Sequence, residues 1–166
     1  MALKYRPDEL PGIARQKHKE NKAFFGKLKQ KPPKDLDSTM QELHRKEFER
    51  TDCLQCANCC KTTGPLFTSS DIGRIARFLR MKPGAFTDTY LRIDEDHDYV
   101  LKELPCAFLG PDNYCSIYEV RPKACREFPH TDRKKFQQIG NLTLKNVAIC
   151  PAAMAIVEEM KQRIKL

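Results

Sequence analysis

Apolar residues recur along this chain in short stretches of helical period, cut apart by proline and glycine. Ile13, Phe24, Phe25 and Leu28 stand among Lys and Arg and predict an amphipathic helix over about 12–30. Lys31-Pro32-Pro33-Lys34 ends it, because proline cannot continue a helix. Asp37 or Ser38 is placed to cap a second helix reaching about Arg50, with Met40, Leu43 and Phe48 on one face. His44 lies beside that apolar stripe and reads as a surface or core histidine, not a ligand. Thr68-Ser69-Ser70-Asp71 has the form of a capping box, opening a helix through Ile72, Ile75, Ala76 and Leu79. Pro83 then starts a short helix through Phe86, Tyr90 and Leu91.

The second half is less regular. Asp94-Glu95-Asp96-His97-Asp98 reads as a solvated turn, since it lacks the central glycine and terminal glutamate of a calcium loop. Tyr99 to Leu104 predicts a strand, Gly110-Pro111-Asp112-Asn113 a turn, and Tyr114 to Ile117 the returning strand. Residues 99–117 are therefore expected to form a hairpin with one cysteine on each arm. Residues 118–129 predict one short helix opened by Pro122 and stopped near Pro129. Residues 130–149 fit neither period. Pro151 to Ile164 predicts a terminal helix with its proline in the first turn. The expected class is mainly α with a small β-hairpin, a small α+β fold around an irregular cysteine-rich core stapled by metal. Residues 1–34 read as a basic helical extension and 35–166 as the cysteine-cluster domain.

Composition narrows the function classes. The chain has 166 residues, 40 % of them apolar and 31 % charged, enough for a domain with a real core. No apolar run approaches the roughly 20 residues of a membrane span, and the first twenty residues lack the apolar segment of a secretory signal. A cytoplasmic location follows as the expectation, with thiols kept reduced. The formal charge is +8, but eight thiolates around two dications would bring it to about +4, so nucleic-acid binding is disfavoured. A protein partner of unknown kind stays open. Phosphate-cradling glycine loops and nucleophile elbows are absent from the sequence.

The chemistry lies in the eight cysteines: Cys53, Cys56, Cys59, Cys60, Cys106, Cys115, Cys125 and Cys150. Four fall within eight residues, and a short backbone turn there brings soft, negative sulfurs toward one point, as a thiolate metal site requires. Disulfides fit poorly in a reducing compartment, and a bond between neighbours Cys59 and Cys60 would be strained. The Cys53-x2-Cys56-x2-Cys59 spacing is that of bacterial ferredoxins, where a later Cys-Pro completes the ligation, and Cys150-Pro151 supplies one. A 4Fe-4S iron–sulfur cluster is thus one candidate cofactor and zinc the other, although zinc sites more often use two separated Cys-x2-Cys pairs and this chain has one compact cluster. Side chains at 59 and 60 are expected to diverge toward two centres, one of Cys53, Cys56, Cys59 and Cys150, the other of Cys60, Cys106, Cys115 and Cys125. Arg121 and Arg126 could offset the negative charge of the cofactor. Ala57, Ala107 and Ala124 are small enough to let backbone N–H groups reach sulfur, while Tyr118 and Phe128 read as core.

Three blocks carry a resemblance: Cys53-x2-Cys56-x2-Cys59-Cys60; Cys106-Ala-Phe-Leu109; and Cys115-Ser-Ile-Tyr118-Glu-Val-Arg121-Pro122-Lys-Ala-Cys125-Arg126-Glu-Phe128-Pro129. Together they resemble the YkgJ-type cysteine-cluster family, described as zinc- or iron-chelating, over about residues 50–151. The resemblance implies all eight cysteines as metal ligands. Relatives include flagellin lysine N-methylases, so a cluster-dependent protein-modifying enzyme stands beside an accessory or redox module and a zinc-stabilised interaction module.

Overall fold

Most of the helices are short, and the apolar residues they carry collect into two cores. The computed structural model describes residues 3–166. In chain order the helices are α1 (Leu10–Gln30), α2 (Leu36–Glu49), α3 (Asn58–Thr62), α4 (Ser69–Phe78), α5 (Pro83–Tyr90), α6 (Lys123–Glu127), α7 (Gly140–Asn146) and α8 (Pro151–Arg163). The strands are β1 (Leu66–Phe67), β2 (Leu91–Ile93) and β3 (Tyr99–Leu101). The class is the mainly helical, small α+β one that the pattern predicts. The chain divides into two units, one running to Cys53 and resuming over Pro129–Leu166, the other Leu54–Phe128.

In the first unit, α1 buries Leu10, Phe25 and Leu28 against α7 and α8, and α2 brings Met40 and Leu43 to α8. Every residue of α8 from Pro151 to Val157 is buried, which its run of alanine and aliphatic residues permits on all sides. The cap of α2 differs from expectation. Asp35 holds the N-cap position without a side-chain bond, and the Ser38 hydroxyl donates to the Asp35 carbonyl at 2.9 Å. Asp37 instead accepts the backbone N–H groups of Lys135 at 2.8 Å and Phe136 at 3.1 Å. That bond anchors the segment for which the pattern showed no period. It consists of a 3-10 turn, Phe136–Ile139, and α7, each too short for a period to show. His44 is half-buried on Phe48, with Nδ1 at 2.8 Å from the buried Thr131 hydroxyl.

The second unit holds an antiparallel sheet of order β1-β3-β2. Leu66 pairs with Val100 and Phe67 with Tyr99, while Leu91 faces Leu101 and Ile93 faces Tyr99. This corrects the expected 99–117 hairpin: β3 pairs back with β2 and β1. The acidic turn makes that return, its Asp94 carboxylate accepting the N–H groups of Asp96 and Asp98 at 2.9 Å. The capping box forms as expected, with Thr68 Oγ1 accepting from Asp71 N and Asp71 Oδ2 from Thr68 N. Phe67, Ile75, Phe86, Leu101, Phe108 and Ile117 form the core, with Phe86 stacked on Phe108 at 6.2 Å.

The segment 118–129 is not one helix. Tyr118–Val120 is a 3-10 turn, and Arg121 and Pro122 are extended before α6 begins. Proline disfavours the helical conformation in the residue before it and donates no N–H, so it can open α6 but cannot be crossed.

Candidate metal centre

The cysteines of the second unit sit on tight turns at the edge of its apolar core. After the 3-10 turn Cys53–Gln55, Ala57 adopts a left-handed φ of 47°, which non-glycine residues adopt at a cost. The turn aims the Asn58 N–H back at Cys56 Sγ, 3.5 Å away. Helix α3 then carries Cys59 and Cys60. The Cys106 N–H donates to the Cys60 carbonyl at 2.8 Å, tying the next cysteine loop to this one.

Cys106 and Cys115 lie on a loop closed by the Leu109–Cys115 bridge and by Gly110 N–H donating to the Tyr114 carbonyl at 2.8 Å. A side chain on Gly110 would press against the Asp112 carboxylate at 2.9 Å, so glycine suits this turn. Asn113, at φ 67°, fixes the loop tip by donating Nδ2 to the Leu54 carbonyl at 2.7 Å. The N–H groups of Phe108 and Leu109 donate to the Cys106 sulfur, and the Ile117 N–H to the Cys115 sulfur. Phe108 and Ile117 are themselves buried in the core. One residue thus does both jobs in each loop: its side chain anchors the turn and its N–H faces the sulfur two positions earlier. Cys125 follows on α6, its N–H donating to the Pro122 carbonyl at 3.0 Å.

Of the two arginines expected near the cofactor, Arg121 lies close to sulfur: its charge favours the thiolates of Cys115 and Cys125. Its guanidinium stacks 3.9 Å above the Tyr118 ring centroid and donates to the Tyr118 carbonyl at 2.7 Å. Tyr118 is 61 % exposed, not core as expected. An exposed tyrosine is a suitable platform, because cation–π contact needs an open ring face. Arg126 is exposed on α6.

Burial sets most of the thiol acidities. It raises Cys56, against the Asn58 N–H and the Lys61 charge. It likewise raises Cys106 and Cys115, and pushes Cys125 to about 12 with help from the charges of Cys60, Cys106 and Cys115. Cys60 goes the other way, to about 7, because a hydrogen bond from the Cys59 side chain outweighs its burial. The two neighbouring side chains therefore meet, where divergence was expected. Cys60 is the electrostatic hub, its charge felt at Cys56, Cys106, Cys115 and Cys125.

The chain brings Cys60, Cys106, Cys115 and Cys125 into one another's electrostatic reach. Cys56 and Cys59 belong to the same unit, whereas Cys53 ends the first unit and Cys150 packs against that unit's core. Among the described residues, no three His, Cys, Asp or Glu side chains already stand as a finished metal-ligand array. The Cys60 group nonetheless fits a thiophilic ion in the kind of donor, in mutual reach and in the N–H groups aimed at its sulfurs. The sequence reading missed two groups beside it, the Lys61 charge on Cys56 and the ion pair of Asp71 with Arg74; the capping box marked Asp71 for another reason. None of the described helices is long and apolar enough to cross a membrane.

Residues 52–143, more than half of the chain, match the family model CxxCxxCC, "Putative zinc- or iron-chelating domain". No curated protein and no solved structure matches.

Proposed function

This chain belongs to the CxxCxxCC family of zinc- or iron-chelating domains, and on that premise we propose that it chelates its metal through Cys60, Cys106, Cys115 and Cys125 and acts as an accessory or redox module. The observation that carries this reading is that the charge of Cys60 reaches the other three thiols, two of which, Cys106 and Cys115, lie on turns whose N–H groups face sulfur. Such N–H groups favour thiolate over thiol, and thiolate is the ligating form. Cys60 loses its proton most easily and is the natural first ligand. Once it is ionised, its charge disfavours ionisation of its neighbours until a cation is present, so the group discriminates between empty and filled states. Arg121 would offset part of the charge that a tetrathiolate centre leaves behind.

Iron–sulfur is the preferred filling, on four thiols in mutual reach and the N–H groups at the Cys106 and Cys115 sulfurs, of the kind that tune such clusters. A bound cluster would supply one-electron transfer, whereas zinc would supply a rigid cross-link. Cys53, Cys56, Cys59 and Cys150 remain candidate ligands on spacing alone.

The test is anaerobic purification of the full chain with iron, zinc and acid-labile sulfide analysis. Iron with matching sulfide and a broad absorption near 400 nm is the expected result. Cys106→Ser and Cys115→Ser should each reduce bound metal severalfold and lower the melting temperature, because ligation free energy is folding free energy. A wild-type chain with no stoichiometric iron or zinc would overturn the proposal.

A further inference from the structure

Asp71 is 1 % exposed, and a buried carboxylate needs its full set of partners. Its role in capping α4 uses one oxygen, Oδ2, which accepts the Thr68 N–H at 2.9 Å. The other oxygen has a different task. Oδ1 accepts from Arg74 Nη2 at 2.8 Å and from the backbone N–H of Lys123 at 3.2 Å. Arg74 then donates onward, from Nη2 to the Arg121 carbonyl at 2.9 Å and from Nε and Nη2 to the Val120 carbonyl at 3.3 and 3.2 Å.

The pair thus holds backbone groups on both sides of Pro122. That stretch is extended and lies between two short helical turns, and its proline has no N–H of its own to contribute. Outside partners must satisfy its polar groups, and Asp71 with Arg74 satisfies three of them through four bonds. Two residues beyond Lys123 stands Cys125, the thiol on which the charges of Cys60, Cys106 and Cys115 converge.

We propose that Asp71 and Arg74 are a positioning pair that sets where α6 begins and so delivers Cys125 to Cys60, Cys106 and Cys115. The inference rests on Cys125 being a ligand, as proposed above. The guanidinium fork is what qualifies Arg74 for this role. It reaches one carboxylate oxygen and two successive carbonyls from fixed directions, and a lysine ammonium has no such plane. The capping box next to it supplies an internal control. Thr68→Ala weakens the start of α4 while leaving the Asp71–Arg74 link to residues 120–123 in place.

The experiment compares the full-length wild type with Arg74→Ala, Arg74→Lys and Thr68→Ala, with two readouts. In metal-free protein, the rate of Cys125 alkylation by N-ethylmaleimide is followed by peptide mass. In protein loaded with Co2+ alone, the sulfur-to-cobalt charge-transfer intensity reports the number of sulfur ligands. In both Arg74 variants, Cys125 alkylation is expected to rise about tenfold as the segment opens locally. Charge-transfer intensity should fall by about a quarter, the share of one thiolate in four. Thr68→Ala should match wild type in both readouts. Arg74→Lys, which keeps the charge, covers the case in which Arg74→Ala fails to fold. Equal alkylation and equal charge transfer in Arg74→Lys and Thr68→Ala would overturn the positioning role. A wild type that takes up no cobalt, zinc or iron would instead overturn the chelation reading, and the metal-free alkylation rates would still decide whether the pair holds Cys125 in place.

Discussion

The backbone N–H of Cys106 donates to the carbonyl of Cys60 at 2.8 Å. Two cysteines 46 positions apart are thus joined through main chain before any metal or thiol chemistry takes part. Replacing either sulfur leaves this joint intact, so loss of metal in such variants reports on ligation more than on the loop's path.

Metal uptake should release protons and weaken with acid. Burial raises Cys106 and Cys115, and Cys125 lies near 12, so these three are thiols at pH 7, while Cys60, near 7, is partly ionised. Ligation needs all four as thiolates, so binding should displace about three to four protons near neutrality. Affinity then falls as pH drops, about tenfold per pH unit for each proton displaced. Below pH 7 the slope approaches four protons as Cys60 is protonated as well. Titration calorimetry of zinc into metal-free protein, in buffers of unlike ionisation enthalpy, measures the number. Binding without proton release would count against a thiol site.

The two arginines should separate. Arg121→Gln removes a charge that favours the Cys115 and Cys125 thiolates and should weaken metal binding by about tenfold. Arg126→Gln, on an exposed position, should leave it within about twofold. Competition with a chromogenic chelator measures both, and equal losses would remove the special place given to Arg121.

Acid should find Asp71. Burial alone would raise its carboxyl, but the Thr68 N–H, Arg74 and the Lys123 N–H outweigh burial and hold it below the usual range. The unfolded chain therefore takes up this proton before the folded one. The stabilisation is complete above about pH 4 and is lost as pH falls through the folded value. Asp71→Asn should cost about 2 kcal/mol at pH 7 and should unfold with a shallower acid limb than wild type below pH 4. Urea unfolding followed by circular dichroism at pH 7 and pH 3 gives both quantities; parallel acid limbs would exclude the ion pair as their source.

Gly140 opens α7 where Phe25 of α1 crosses close by. A methyl group there would meet Phe25 Cβ at 3.0 Å and Cγ at 3.4 Å. Its φ of −54° is open to any residue, so the issue is space alone. Gly140→Ala gains helix propensity of up to about 1 kcal/mol but presses on a Cβ that cannot rotate away, costing about 1–3 kcal/mol. A lower melting temperature is expected, and a rise would mean that α1 yields at no cost.

Much of this protein was legible along the chain because the rules concerned act within a few residues. Thr68 and Asp71 announced the start of α4, Pro83 and Pro151 opened α5 and α8, and both apolar stripes of the N-terminal helices matched buried faces. The cysteine spacing pointed to the family that residues 52–143 match. Local rules failed where a choice among distant partners was being made. Tyr99 to Leu101 reads as a strand by itself, but nothing within it says that β2 and β1 outcompete residues 114–117 as its neighbours. Asp37 looked like a cap and instead serves the backbone of Lys135 and Phe136.

What the amino-acid order determined alone is the kind of chemistry: soft sulfur donors on proline-cut turns, with helices whose apolar faces oblige them to pack. Tertiary structure decided which sulfurs share a neighbourhood, that Cys60 is the most acidic of those it links, and that Asp71 and Arg74 together reach across to residues 120–123. Cys60 owes its acidity to a bond from its neighbour Cys59, but the thiols it links are set by burial and by charges brought in from distant positions. Both arise only when the chain closes, so neither can be read from spacing.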